Sequence, residues 1–199
     1  MKYSNVTEGI FIDRPNRFIA HVQIGGKTEV CHVKNTGRCK ELLVEGARVI
    51  LQKSDNIKRK TAYDLVSVYK NERLINIDSY APNMAFFEYL KSPHAALGNI
   101  KPKDIIRIKP ESKFGNSRFD FYMQTKKGEI YIEVKGVTLE KDNITMFPDA
   151  PTERGTKHAL ELIEGVHSGY KAFLVFVIQM KGVKYFTPYK EMDQAFCRA

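Results

Sequence analysis

The stretch Ser117-Arg118-Phe119-Asp120-Phe121-Tyr122, followed after a short Lys-Gly turn by Tyr131-Ile132-Glu133-Val134-Lys135, restricts its own fold more than any other part of this chain. Apolar Phe119, Phe121, Ile132 and Val134 alternate with Asp120, Glu133 and Lys135, and successive side chains on a strand point to opposite faces. The alternation predicts a β-hairpin whose apolar set enters the core and whose charged set lies on the other side. With the turn centred on Lys126-Lys127 inside Thr125-Lys126-Lys127-Gly128, Asp120 falls opposite Glu133, with Cβ atoms roughly 4.5 to 5.5 Å apart. A slip that moved Phe119 and Phe121 off the face of Ile132 and Val134 would split the apolar surface.

Two carboxylates this close make each other harder to ionise unless a cation sits between them. Mg²⁺ or Mn²⁺ suits the pair: Mg²⁺ takes hard oxygen ligands and commonly uses one or two protein carboxylates, with water and substrate phosphate completing its shell. Lys135, on the face of Glu133, is placed to hold an attacking water or to offset phosphate charge. The set suits metal-assisted phosphodiester hydrolysis. Spacing alone leaves open a plainer alternative, a solvent-facing hairpin in which Lys135 balances two acids.

At 199 residues and 43% hydrophobic content, the chain is long enough for one large domain or two small ones. Its formal charge of +9 is spread along it: 14 basic against 9 acidic residues through Tyr80, and 18 against 14 afterwards. This favours a polyanion surface drawn from both parts over a basic tail. No apolar run reaches bilayer length and the N-terminus lacks the apolar stretch of a signal peptide, so a soluble, cytoplasmic protein is expected, with no membrane partner. Cys31, Cys39 and Cys197 are odd in number and widely spaced, which encodes neither a disulfide framework nor a zinc knuckle, and the five histidines show no metal-ligand spacing.

Up to about residue 80 the chain reads as short strands between turns: 9–14, 17–24, 28–33, 47–52, 63–69 and 73–77, with a short helix expected over 36–43. That rhythm predicts a small barrel, an OB-fold first and an SH3-like barrel second. From Ser79 the character changes. A helix is expected over 84–90, a basic strand over 103–109, the charged hairpin, a helix from about Asp149 to His167 capped by Asp149 with Pro151 in its first turn, and a strand buried on both faces over 172–179. The second part is therefore α/β.

Arg14 with Arg17, Lys34 with Arg38 and Lys40, and Lys53 with Lys58, Arg59 and Lys60 form basic clusters, and Phe11, Phe18 and Tyr63 lie nearby in sequence. Cations spaced along a groove bind phosphates and aromatics can stack bases, although core packing is the stronger expectation for these aromatics. In the second part, Arg154 and Lys157 could face the Asp120/Glu133 pair and hold a phosphate, or Glu153, Lys157 and Glu161 could form surface ion pairs. The expected DNA contacts are Arg14, Arg17, Lys34, Asn35, Arg38, Lys53, Lys58, Arg59, Arg118, Arg154 and Lys157; the partner is duplex or single-stranded DNA held largely without sequence preference. The oligomeric state is left open, a homodimer included. Phosphate-loop, nucleophile-elbow, His-Glu-x-x-His and dinucleotide motifs are missing, which argues against an ATPase, serine hydrolase, zinc protease or dinucleotide enzyme.

Five ordered motifs carry a resemblance across essentially the whole chain: 14–18 (Arg-Pro-Asn-Arg-Phe), 32–37 (His-Val-Lys-Asn-Thr-Gly), 117–121, 132–135, and 147–155 (Phe-Pro-Asp-Ala-Pro-Thr-Glu-Arg-Gly) with Lys157-His158. They resemble the sugar fermentation stimulation protein (SfsA) family. The resemblance implies an N-terminal OB-like barrel (1–80) that binds nucleic acid and a C-terminal PD-(D/E)XK nuclease-like α/β domain (81–199). It implies DNA binding and a role in regulating sugar, notably maltose, metabolism. It makes Asp120 and Glu133 the acidic pair and metal ligands, Lys135 the lysine, and Glu111 a further acid of the catalytic set. Phe119 stands where the motif often has proline, and the chain ends at Ala199, where family members usually continue through another helix and strand. The expectation is a divalent-metal-dependent endo- or exodeoxyribonuclease; the alternative is a non-catalytic DNA-binding regulator on the same scaffold.

Overall fold

The computed structural model describes residues 1–35 and 37–199 and divides the chain into two compact units. The first comprises Met1–Ala81 with Thr138–Thr145 and Ile178–Phe186; the second comprises Pro82–Val137, Met146–Val177 and Thr187–Ala199.

In the first unit, β1 (Val6–Asn16), β2 (Ile19–Ile24), β3 (Lys27–Val33), β4 (Arg48–Lys53), β5 (Tyr63–Lys70) and β6 (Arg73–Asn76) form a sheet in the order β3-β2-β1-β4-β5-β6. β3 also pairs in parallel with β5, through Cys31–Tyr63 to Val33–Leu65, which closes strands β1 to β5 into the OB barrel that the strand rhythm predicts. Alternate residues fill it: Val22, Val49, Leu51, Leu65 and Val68 are fully buried. Gly9 is needed where β1 crosses this core, since a Cβ there would lie 2.5 Å from Val22 Cγ1. The helix expected over 36–43 does not form. Thr36 lies outside the described residues, and 37–43 is bend and turn, secured by Leu42 and Leu43 N–H groups donating to the Cys39 carbonyl.

The second unit opens with α1 (Ala81–Leu90), three residues longer at its start than expected. Then come β7 (Ile105–Phe114), β8 (Ser117–Thr125) and β9 (Gly128–Val137). Short strands β10 (Leu139–Lys141), which belongs to the first unit, β11 (Ile144–Phe147) and, later, β13 (Tyr185–Pro188), each divided between the two, form a separate sheet. α2 (Glu153–His167), β12 (Lys171–Ile178) and α3 (Gln194–Arg198) complete the unit, whose main sheet runs β12-β9-β8-β7. α2 starts later than expected and its cap is Thr152, not Asp149: the Thr152 hydroxyl accepts the Gly155 N–H at 3.1 Å, and Asp193 accepts the Thr152 N–H at 2.8 Å. A Cβ on Gly155 would meet that hydroxyl at 2.6 Å. β12 is only half-buried along its length, because it is the outer strand of its sheet.

At Asp120, Glu133 and Lys135 the hairpin does not present a solvated charged face. Phe121, Met123, Ile130, Ile132 and Val134 pack with Phe86 and Leu90 of α1, whereas Phe119 and Tyr131 pack with Leu162 of α2. Helices pack on both sides here, so Glu133 and much of Lys135, expected to face water, are drawn inside. Among the described residues, no helix is long and apolar enough to cross a membrane, and none of the three cysteines is in a disulfide.

Candidate active site

β8 and β9 pair from Thr125–Gly128 to Phe121–Ile132, the register centred on Lys126-Lys127. The next step would pair Asp120 with Glu133, and there the ladder gives way: the Val134 N–H donates to Asp120 Oδ2 at 2.7 Å. The carboxylate takes the place of a backbone acceptor. On the other side of β8, pairing with β7 runs through Pro110–Phe121, passes over Glu111 and Asp120, and resumes at Ser112–Phe119; Glu111 has φ 49°. This interruption turns both strands, which is why Phe119 and Phe121, two residues apart, enter different clusters. Asp120 sits at the turn itself.

Asp120 Oδ1 accepts from the Asn83 side-chain amide of α1 at 2.6 Å. Burial first, and the charge of Glu133 second, push the Asp120 carboxyl above the usual carboxylate range; the Val134 N–H, Asn83 and Lys135 pull less strongly the other way. Glu133 is 4% exposed. Its Oε1 accepts from Lys135 Nζ at 2.6 Å and meets His158 Nδ1 at 2.6 Å, while Oε2 is buried without a partner. His158 lies on α2, edge-on to Phe119 and buried. Arg154, one turn earlier, has Nε 3.5 Å from His158 Nε2, so the tautomer that donates from Nδ1 to Glu133 leaves Nε2 free to accept from Arg154.

The structure thus brings Asp120, Glu133 and Lys135 together and attaches Arg154 through His158. Glu111 is not part of this group: its side chain is 76% exposed and pairs with Arg118 at 3.3 Å, because the positive-φ kink of β7 turns it outward. Asn83 and His158 are site residues that sequence reasoning missed. For His158 a signal exists, since Arg154 and His158 are spaced i,i+4 on one helix face. For Asn83 there is none, because α1 reaches Asp120 only in the folded unit.

Several residues expected on DNA have other partners. Arg14 donates to the carbonyls of Arg17, Asn35, Gly37 and Arg38 at 2.6 to 2.9 Å, a fastener for that loop. Lys34 lies 3.4 Å from Asp78 and 3.8 Å from Asp64, Arg59 holds Asp64 at 2.6 and 2.9 Å, and the Asn35 amide donates to the Ile77 carbonyl. These groups are half-buried and already have partners within the fold. Arg17, Arg38, Lys53 and Lys58 are exposed and form no ion pair among the described residues, and Lys157 makes only a 3.8 Å pair with Glu161. Of the aromatics, Phe11 is core, Tyr63 packs against it, and Phe18 is exposed.

No cluster of three or more His, Cys, Asp or Glu side chains that could hold a metal ion occurs among the described residues. The Asp120/Glu133 pair nevertheless offers what a hard dication with few protein ligands requires: an unpartnered buried oxygen on Glu133 and a neighbouring carboxyl whose ionisation is suppressed by burial and by the charge of Glu133.

Comparison with known proteins agrees with this architecture. Residues 80–199 match the "Sugar fermentation stimulation protein RE domain" and residues 12–77 the "SfsA N-terminal OB domain". The chain belongs to the SfsA family. Sugar fermentation stimulation protein homologs from Ruminiclostridium cellulolyticum and Clostridium beijerinckii are 57% and 56% identical over 199 and 196 residues, covering 100% and 98% of this chain and 85% and 84% of theirs. The solved structure of Pyrococcus furiosus SfsA in complex with Ca²⁺ superposes with a TM-score of 0.87 at 30% identity, covering all of this chain and 83% of that one. For this SfsA member, the barrel and the α/β unit are thus both family features.

Proposed function

We propose that this SfsA protein is a divalent-metal-dependent deoxyribonuclease of PD-(D/E)XK type, with Asp120 and Glu133 as ligands for Mg²⁺ or Mn²⁺. The observation that carries this reading is the bare, buried Oε2 of Glu133 beside an Asp120 carboxyl raised by burial and by Glu133 itself. A pair only partly compensated, with Lys135 on one oxygen of Glu133, has room for a cation from outside. That a relative is described in complex with Ca²⁺, another oxygen-seeking dication, supports it. When bound, the metal would lower the pKa of its water and polarise the phosphoryl oxygen.

The chain's own residues supply the rest. Asn83 and the Val134 N–H hold the Asp120 carboxyl, and His158 holds Glu133. The Lys135 ammonium, on Glu133 Oε1, is the cation of this site that would offset charge on a bound phosphate. Exposed Arg17, Arg38, Lys53 and Lys58, with Arg154 beside the site, are the cations available to a DNA backbone, and the overall charge of +9 favours its approach.

One observation favours the second reading, a DNA-binding regulator of sugar metabolism without turnover. Glu111 stands apart, so that among the described residues two acids, Asp120 and Glu133, make up the site, and Lys135 already neutralises part of Glu133. Incubation of the purified protein with single-stranded, duplex and branched DNA in Mg²⁺, Mn²⁺ or EDTA separates the two. Cleavage with metal that EDTA abolishes is expected; binding without cleavage of any form would leave the regulator.

A further inference from the structure

A second constellation lies on the same sheet as the acidic pair but shares no residue with it. Cross-strand register places Arg107, Gln124 and Glu129 in one row across β7, β8 and β9, and Lys109, Tyr122 and Tyr131 in a neighbouring row. Direct partners in a sheet share a face, so these six side chains project together. The kink at Glu111 turns Ser112 onto this face too, and Tyr170, just before β12, closes the group, its ring 5.2 Å from that of Tyr131. Together they line a cavity of about 360 Å³.

Almost everything lining that cavity is a donor without an acceptor. Arg107 and Lys109 make no ion pair among the described residues, and the side chains of Ser112, Gln124, Tyr131 and Tyr170 make no hydrogen bond there. The single carboxylate, Glu129, accepts from the Tyr122 hydroxyl at 2.6 Å. That bond, with burial, pushes the Tyr122 hydroxyl up to about 12, and burial raises Tyr131, so both keep their protons at neutral pH.

We propose that this cavity is a phosphate-binding site, with Arg107 and Lys109 as its cations and the hydroxyls of Tyr131, Tyr170 and Ser112 as neutral donors. A tetrahedral oxyanion offers enough acceptors for such a set, whereas a carboxylate has two oxygens; the guanidinium fork and the compact ammonium supply complementary contacts. The phosphate belongs either to a small phosphorylated compound or to a nucleic-acid strand. The inference does not depend on the acidic pair being active.

Calorimetric titration of the full chain with inorganic pyrophosphate, adenosine 5′-monophosphate and a short single-stranded oligonucleotide tests it. The chain has no tryptophan, so its tyrosine fluorescence gives a second readout. Saturable binding is expected, weakened at least about tenfold in R107Q/K109Q through loss of two charge-assisted contacts and a few-fold in Y170F. Binding of pyrophosphate or the nucleotide that the double variant loses assigns a small ligand. Binding of the oligonucleotide alone, lost in the same variant, assigns a strand phosphate. With EDTA present, D120N, which disables the acidic pair, should bind pyrophosphate and the nucleotide unchanged, so failure of the nuclease reading remains distinguishable. Absence of saturable binding to every probe, or equal affinity in R107Q/K109Q, would overturn the proposal.

Discussion

Asp64 in the barrel and the Asp120/Glu133 pair in the α/β unit are all drawn largely out of water, yet their surroundings differ. Burial alone would raise Asp64, but Arg59 and His32 hydrogen-bond it, and Arg59 and Lys34 lend their charge, so its carboxyl is held below the usual range. At Asp120 the same burial is reinforced by a second acid and the carboxyl is pushed up, while Glu133 keeps one oxygen bare. One region meets its buried negative charge with its own cations. The other leaves part of it unmet. Structural ion pairs take the first form, and groups awaiting a ligand or poised for chemistry take the second.

The strongest way to break this contrast is at Lys135. If it acts on the phosphate in the transition state, Lys135→Ala should slow single-turnover cleavage with Mn²⁺ about a thousandfold, as loss of an electrostatic stabiliser does. DNA affinity, read on the same DNA, should fall by about one phosphate contact. Equal small losses in both would make Lys135 an ordinary backbone contact.

Next in size is Asp64→Ala, which strands Arg59 and His32, leaves Lys34 with Asp78 alone and should cost about 3 kcal/mol in urea unfolding, the lower end for breaking a buried pair because its partners are partly exposed. The folded carboxyl is depressed, so its contribution is present above the unfolded value of about 4 and is lost as pH falls through the lower, folded one. The gap between variant and unaltered protein should therefore close in acid. A gap independent of pH would mean that packing, and not charge, explains Asp64.

Saturating Mn²⁺ should raise the unfolding free energy by about 2.7 kcal/mol at a hundred times its dissociation constant. Asp120→Asn and Glu133→Gln should each lose that increment, and Asp64→Ala should keep it. Retention in both site variants would remove the metal from this pair. The smallest effect is expected at His158, which touches Glu133 and no substrate: His158→Ala should weaken Mn²⁺ about tenfold, as loss of an outer partner of a metal ligand does. An unchanged affinity would show that Lys135 alone positions Glu133.

The acidic pair and its register are legible from the chain because a two-residue turn and a period of two are local properties: once Thr125 and Gly128 flank the turn, Asp120 must approach Glu133. The barrel was legible for the same reason, as a rhythm of short strands. Where an inference needed a neighbour distant in sequence, the chain alone misled. Phe119 and Phe121 were expected on one face, and the interruption opposite Glu111 separates them. Arg14, Lys34 and Arg59 read as DNA contacts by composition, and the fold gives each a partner of its own: the Gly37 carbonyl for Arg14, Asp78 for Lys34 and nearby Asp64 for Arg59. Asp149 looked like the cap of α2, yet Thr152 holds that place with Asp193 behind it. Sequence by itself determined which residues could meet across a turn and what chemistry they could offer. Only the tertiary structure decided which charges found partners, because burial and distance between remote segments set the cost of an unpaired group.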